Sequence, residues 1–257
     1  MSEFTGERLP GAGGDFSVDL ERHLAAYRWA ATQAAGRRVL DAGCGEGYGT
    51  ALLAETAASV VGVDRVEATS VAAARHARPN LTFRTLDLGA LDALGTQFDL
   101  VLSFQVIEHL PDPTGFLAAL ARRTAPGGTL LVSTPNRLMS LTENPYHLRE
   151  WTAPELHALA APVLPGVRVV GVHASERVLA YERARAAQVQ RILRLDPLGL
   201  RKLLPESLVK AAFGPLARLV RGRLRAGQAL PAVGAADFVV GDGDMARALD
   251  LVLVATI

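Results

Sequence analysis

The chain has 257 residues, 49% of them hydrophobic and 21% charged, with a formal net charge of +1. That composition supplies an apolar core and argues against disorder, and the near-neutral total gives no global attraction to nucleic acid. A single cysteine, Cys44, excludes an internal disulfide, and no stretch reads as a membrane span or secretory leader, so a soluble cytoplasmic protein is expected.

Residues 1–36 read as an N-terminal cap segment. In "FTGERLP" (4–10), Glu7 and Arg8 either fold back towards a site or form a mobile charged terminus. Tyr27 and Trp29 are placed on a helix that covers the first strand. From residue 37 onward, apolar runs of strand length alternate with segments long enough for a helix or turn. The runs are "RRVLDA" (37–42), "SVVGVD" (59–64), "LTFRTLD" (81–87), "FDLVLSF" (98–104), "TLLVSTP" (129–135) and "VRVVGVH" (167–173). Rich in Val and Leu on both faces, they predict strands buried between two helical layers, a doubly wound α/β core over 37–175. "PGG" at 126–128 is read as the turn from a helix beginning near Thr114 into the next strand.

Residues 176–232 break the alternation and read as a basic helical insertion. From Glu182 to Arg225 there are eleven basic residues against three acidic, Glu182, Asp196 and Glu206. Helical projection puts Leu208, Val209, Ala212, Phe213, Leu216, Leu219 and Val220 on one side, with Lys210, Arg218, Arg221 and Arg225 on the other. Gly214-Pro215 splits this stretch into two predicted helices. An ordinary packing element with solvated arginines, a lid over an anionic or lipid-linked substrate, and a foot on an anionic membrane all fit. Residues 233–257 then return to the core, where the apolar run 249–257 is expected to close the sheet at its edge as a seventh strand.

The stretch "RVLDAGCGEGYGT" (38–50) carries the chemistry. Gly43, Gly45 and Gly47 follow the first strand directly, at the carboxyl end where open α/β sheets bind ligands. Without β-carbons they allow positive φ and let a ligand approach the backbone. The spacing departs from a dinucleotide fingerprint, because the sixth position from Gly43 is Tyr48, and it lacks the G-K-[ST] of a P-loop. Asp41, ahead of the glycines, suits a cationic ligand end such as an amine better than a pyrophosphate.

"VLDAGCGEGYG" resembles the first motif of the class I S-adenosylmethionine-dependent methyltransferases, an acid followed by G-x-G-x-G. "FDLVLSFQVIEHLPDP" (98–113) resembles the family's fourth motif and "LARRTAPGGTLLVSTPN" (120–136) its fifth, so the likeness runs in order over about 37–136. It implies a Rossmann-like, mostly parallel seven-stranded sheet with the helical insertion before its last strand. It also implies S-adenosylmethionine as cofactor, with Asp64 on the ribose hydroxyls, Asp87 beside the adenine amine, and Leu88 donating from its backbone. Asp41, Gly43, Gly45, Gly47, Tyr48, Arg65, Phe104 and Gln105 complete the implied cofactor set. Asp92 is read as a solvated turn residue, and Cys44 as filling space in the loop.

Methyl transfer from a sulfonium needs alignment and exclusion of water more than covalent machinery. A hydroxyl acceptor also gains from a general base, because it must lose a proton on attack. His109, just after the fourth strand, is the first candidate base, since imidazole titrates near neutral pH. His147 in "NPYHLRE" is the second, and Glu108 joins them, with a structural role at a helix start as the alternative reading for Glu108 and His109. Orienting a diol with a metal would require converging carboxylates and amides. None is evident in the sequence beyond the cofactor acids, so no metal is expected.

Beyond the core, "FTGERLP", "FQVIEHL", "STPNR", "NPYHLRE" and the closing "DLVLVA" resemble a narrower bacterial set, often actinobacterial, associated with glycan and lipopolysaccharide biosynthesis. That resemblance implies a sugar hydroxyl of a glycan or glycolipid as acceptor, for which Arg191, Arg194 and Arg201 offer forks to phosphate or uronate groups. The core is also similar to quinone-pathway O-methyltransferases, which keeps a small lipophilic acceptor open, and a catalytically silent subunit is a third reading. Nucleic-acid methylation is disfavoured by "SFQVIEHL" in place of an [DNS]-P-P-[YF] tetrapeptide.

Overall fold

Strand-length apolar runs form a sheet when both of their faces can be covered, and here two layers of helices cover them. The computed structural model describes residues 17–140, 144–193 and 233–257. Helix α1 (Ser17–Ala31) leads into β1 (Arg38–Ala42), α2 (Tyr48–Leu53), β2 (Ser59–Asp64), α3 (Val66–Arg75) and β3 (Leu81–Thr85). A 3₁₀ turn (Leu88–Leu94), β4 (Phe98–Phe104), a second 3₁₀ turn (Ile107–His109), α4 (Pro113–Arg123) and β5 (Thr124–Pro135) follow. The chain ends with α5 (Ala153–Ala160), β6 (Arg168–Ala174), α6 (Glu176–Leu193), β7 (Phe238–Gly241) and β8 (Asp250–Thr256).

The sheet order is β3-β2-β1-β4-β5-β8-β6-β7. The first five strands run parallel, β8 is antiparallel to both β5 and β6, and β7 is antiparallel to β6. On one face, Tyr27, Leu53 and Val178 from α1, α2 and α6 pack against Val39, Leu100 and Leu102. On the other, Leu91, Leu117, Trp151 and Leu156 pack against Leu40, Val101 and Leu130. The Rossmann-like α/β class expected from the sequence is therefore the fold observed, with two differences in the sheet.

The closing run is not an edge strand. β8 lies between β5 and β6, and its residues 250–253 are buried, which is what an apolar run covered on both faces requires. The edge is instead β7, an eighth strand of four residues whose Val239 is 66% exposed. "PGG" lies within β5, where the register shifts between Phe98 and Leu100; α4 has already ended at Arg123. Gly127, at φ 75°, donates its N–H to the Ile257 carbonyl there.

Of the basic insertion, α6 is described, and it carries a buried ion pair. Arg185 reaches Asp19 of α1 at 3.2 Å and Glu182 at 3.1 Å, so this arginine acts in packing. Arg191 is exposed. Glu7, Arg8, Arg194, Arg201, the Gly214-Pro215 break and the amphipathic stretch 208–225 lie outside the described residues.

Candidate active site

Strand order reverses between β1 and β4, which opens a crevice at their carboxyl ends. The glycine loop enters it from β1, and residues 105–109 enter from β4. The loop's backbone explains its sequence. Gly43, Gly45 and Gly47 have φ of 89°, 54° and 80°. A β-carbon on Gly43 would stand 2.4 Å from Val106 Cγ2, so this glycine lets the two walls of the crevice meet. A β-carbon on Gly47 would collide with Phe83 and Ala72, while at Gly45 nothing stands within 4 Å. The loop thus packs closely at both ends and presents open backbone at Gly45, where a ligand can approach.

Asp64, at the end of β2, fixes that cradle. One carboxylate oxygen accepts the Gly45 N–H at 2.8 Å and the other accepts the Arg65 N–H at 2.7 Å. Arg65 is exposed at the start of α3. Asp87 caps the 3₁₀ turn by accepting the Gly89 N–H at 2.8 Å, with Leu88 as the turn's half-buried first residue.

Asp41 is fully buried beneath the loop. It accepts Thr50 Oγ1–H at 2.6 Å and the Tyr27 hydroxyl at 3.2 Å to each oxygen, so α1 and α2 are both tied to β1 through it. Desolvation pushes its carboxyl up to about 7, against the opposing effect of those hydrogen bonds. Tyr48, first residue of α2, bonds through its hydroxyl to His23 Nδ1 at 2.5 Å. Its ring lies edge-on to His23 and Tyr27, and the Tyr27 ring lies edge-on to Phe104 at 4.9 Å. Burial drives His23 down to about 3, with Arg22 adding to the effect, so its ring is neutral at pH 7.

Tyr27 lies on the helix expected to cover β1, but the sequence foreshadows neither its bond to Asp41 nor the place of His23 beside Tyr48. Periodicity marks them only as one face of a surface helix, although two aromatic-type rings at i and i+4 carry the signal.

The wall beyond β4 is made of side chains. Gln105 is the one non-glycine residue with positive φ among those described, at 58°. Its N–H donates to the Ser133 carbonyl at 3.0 Å and its side chain donates to Asp250. Asp250 opens β8 and pairs with Arg22 of α1 at 3.2 Å. Asn136 brings β8 to this position, since its amide donates to the carbonyls of Met245 and Ala248 at 2.7 Å each.

Glu108 is only 1% exposed and accepts Thr134 Oγ1–H at 3.1 Å. Desolvation pushes its carboxyl up to about 8, partly opposed by His147 and by its hydrogen bonds. Its carbonyl accepts the N–H groups of Leu148 and Arg149, drawing the loop around residue 147 onto the turn. His109 Nδ1 is 3.0 Å from the Tyr146 carbonyl and Nε2 is 3.9 Å from Glu108 Oε1. His147 Nδ1 is 2.5 Å from Glu150 Oε1, and the two imidazole rings stand 4.9 Å apart. Burial opposes ionisation of Glu150, yet hydrogen bonds from His147 and Ser140 outweigh it and hold this carboxyl below its ordinary value.

The structure therefore gathers all three proposed catalytic residues in one place. Donor atoms of Glu108, His109 and His147 lie within 4.8 Å of one another, a set able to hold a metal ion. The sequence-based expectation concerned converging carboxylates and amides, whereas the structure brings together one carboxylate and two imidazoles. His147 arrives from a loop well separated in sequence, which spacing alone does not reveal.

The family described as "Methyltransferase domain" matches residues 20–162, more than half of the chain. The chain belongs to the class I S-adenosylmethionine-dependent methyltransferases. Its similarity to a probable S-adenosylmethionine-dependent methyltransferase of Mycolicibacterium smegmatis is 44% identity over 161 residues, covering 60% of this chain and 62% of that protein. A ubiquinone biosynthesis O-methyltransferase of Methylococcus capsulatus is 38% identical over 110 residues, 41% of this chain and 46% of that protein. The chain thus spans under two thirds of the length of these relatives. Among solved structures, a possible histamine N-methyltransferase from Thermotoga maritima superposes with a TM-score of 0.57 at 16% identity, covering 94% of this chain and 91% of that one. At that identity the likeness shows the shared methyltransferase fold. S-adenosylmethionine is the family's cofactor, and the open glycine loop beside Asp64 fits it.

Proposed function

We propose that this methyltransferase transfers a methyl group to a hydroxyl of a glycan or glycolipid precursor. The observation that carries the reading is the polar wall beyond β4. Glu108, His109, His147 and Glu150 meet there with Gln105, which follows β4, and the buried Asp250 of β8 and its partner Arg22 of α1 back them. Such a wall suits an acceptor with several hydroxyls, which leaves few buried polar groups unpaired.

S-adenosylmethionine supplies an electrophilic methyl group on a good leaving group. The remaining work falls to the chain. Gly43, Gly45 and Gly47 admit the cofactor to the backbone, with Asp64 and Arg65 at the ribose end and Asp87 and Leu88 at the base. Asp41 and Tyr48 brace the loop from below, while Phe104 and Gln105 shape the floor between donor and acceptor. His109, oriented through Nδ1 by the Tyr146 carbonyl, takes the hydroxyl proton at Nε2 as the oxygen–carbon bond forms. His147, oriented by Glu150, is the second proton acceptor.

A second reading has an observation of its own. Leu138 and Leu148, beside the same wall, are 57% and 65% exposed, and an apolar rim suits a lipophilic phenol such as a quinone precursor. No helix among the described residues is long and apolar enough to cross a membrane. Contact with a membrane surface, if the acceptor is lipid-linked, would fall to the basic insertion.

Incubating the protein with methyl-labelled S-adenosylmethionine and a cell extract, then separating soluble glycan, lipid-linked glycan and apolar lipid, tests the assignment. Label in either glycan fraction is expected. Label confined to apolar lipid would favour the second reading, and no label despite cofactor binding would point to a silent subunit.

A further inference from the structure

We propose that Glu108, His109 and His147 form a binding site for one divalent first-row transition metal, which holds the acceptor's oxygens. Donor atoms of the three lie within 4.8 Å of one another, close enough for small side-chain movements to bring them around one ion. Two imidazoles and one carboxylate suit Mn²⁺, Fe²⁺, Ni²⁺ or Zn²⁺ better than the all-oxygen shells of Mg²⁺ or Ca²⁺.

A second, independent observation is the set of groups around the histidines. The Nδ1 atom of His109 meets the Tyr146 carbonyl at 3.0 Å, and that of His147 meets Glu150 Oε1 at 2.5 Å, with Glu150 Oε2 accepting from Ser140. Acceptors on Nδ1 fix the tautomer that leaves the Nε2 lone pair for coordination, the usual outer-shell arrangement of a metal-ligating histidine. Asn144 Nδ2 stands 2.9 Å from His147 Nε2 and would yield that position to the ion. The site also has the right openness. Glu108 is buried while the His109 side chain is 31% exposed, so an ion held there keeps a face towards the crevice for exchangeable ligands. A buried carboxylate is costly unless a cation compensates it, and a divalent ion does so.

The position gives the ion its task, and this step rests on the methyl-transfer reading. The ligating turn follows Val106, which packs against Gly43 of the cofactor loop. Two oxygens of a diol bound to the ion would be held next to the donor, and coordination would lower the pKa of a bound hydroxyl without a protein base. His109 then acts as a ligand, and the proton passes to solvent or to a neighbouring acceptor.

The test is Mn²⁺ binding to the full chain, followed by electron paramagnetic resonance and run beside calorimetric titration of S-adenosylmethionine. One saturable Mn²⁺ per chain is expected, weakened at least tenfold in His147→Ala and in His109→Gln, and about tenfold in Glu150→Ala through the loss of His147's orienting partner. Unchanged S-adenosylmethionine affinity shows that each variant is folded. Absence of saturable Mn²⁺ binding in the wild type, or equal binding in the folded variants, overturns the site. Because binding is read without turnover, Mn²⁺ binding with no methyl transfer would keep the metal site and reject the activity, and transfer without Mn²⁺ binding would do the reverse.

Discussion

The two walls of the crevice between β1 and β4 are built by opposite means. On the cofactor wall, eight consecutive residues from Asp41 to Tyr48 set the backbone, and Asp64 and Asp87 complete it from the ends of β2 and β3. On the acceptor wall nothing is contiguous beyond the short turn 107–109. His147 and Glu150 come from a loop, Asp250 from β8 and Arg22 from α1, and they meet only because the chain folds back three times. A wall made of backbone answers to residue type and spacing, whereas a wall made of side chains answers to tertiary placement. The walls should therefore fail separately.

The largest expected effect breaks the acceptor wall alone. His109→Ala removes a group that either takes the hydroxyl proton or ligates an ion, and turnover should fall by roughly 10²-fold or more. The Kd for S-adenosylmethionine should stay within about twofold, because His109 lies on the turn after β4, in contact with Tyr146, Glu108 and His147. Single-turnover kinetics beside calorimetry reads both quantities, and a comparable loss of cofactor affinity would merge the two walls into one unit.

The converse experiment sharpens the contrast. Asp64→Ala deletes the acceptor of the Gly45 N–H along with the carboxylate proposed to hold the ribose, and should weaken cofactor binding by roughly 1.5–3 kcal/mol, about ten- to a hundredfold in Kd. Turnover at saturating cofactor should change far less. If turnover collapses while Kd holds, Asp64 belongs to the chemistry and the division of labour is wrong.

The same contrast explains what could be read in advance. The alternation of apolar runs gave the sheet and its class, and the glycine spacing located the cofactor wall, since both are local patterns. β7 escaped notice because four residues, one of them strongly exposed, carry too little periodicity to stand out. The place of β8 was misjudged because its hydrophobicity on both faces says that it is interior, not which neighbours it takes. On the acceptor wall, "IEH" and "NPYHLRE" each drew attention as residue types, yet their meeting depends on the Glu108 carbonyl accepting two N–H groups from the loop. Arg22 and Asp250 gave no signal, being single charges in a helix and at the start of a strand.

A subtler difference lies beneath the cofactor wall. Asp41 ionises near 3.8 when the chain is unfolded and near 7 when folded. Between those values the folded state keeps a proton that the unfolded state has lost, so this group's contribution to stability is full below about pH 4, declines as pH rises, and levels off above 7. His23 slopes the other way, since its folded value near 3 against 6.5 unfolded makes stability fall as pH drops below 6.5. Wild-type melting therefore mixes two opposed trends, and Asp41→Asn separates them. The asparagine can still accept from Thr50 and Tyr27, so the melting temperature of the variant relative to wild type should climb steadily from pH 4 to 7. A difference that stays flat would mean that Asp41 is already ionised in the folded chain.

The smallest effect belongs at the opposite ends of the strands. Arg38 and Asp99 pair at 2.7 Å at the amino ends of β1 and β4, the same strands whose carboxyl ends form the crevice. The Arg38 and Asp99 side chains are 53% and 36% exposed, so solvent screens the pair and Asp99→Asn should lower stability only slightly. The interior of each strand insulates the far end, because Val39, Leu40, Leu100 and Val101 are fully buried and packed in place. Cofactor Kd and turnover should both equal wild type within error, even where the melting temperature drops slightly. A shift in either would show that the strands transmit strain along their length, and the separate failure of the two walls would then need testing against the sheet as a whole.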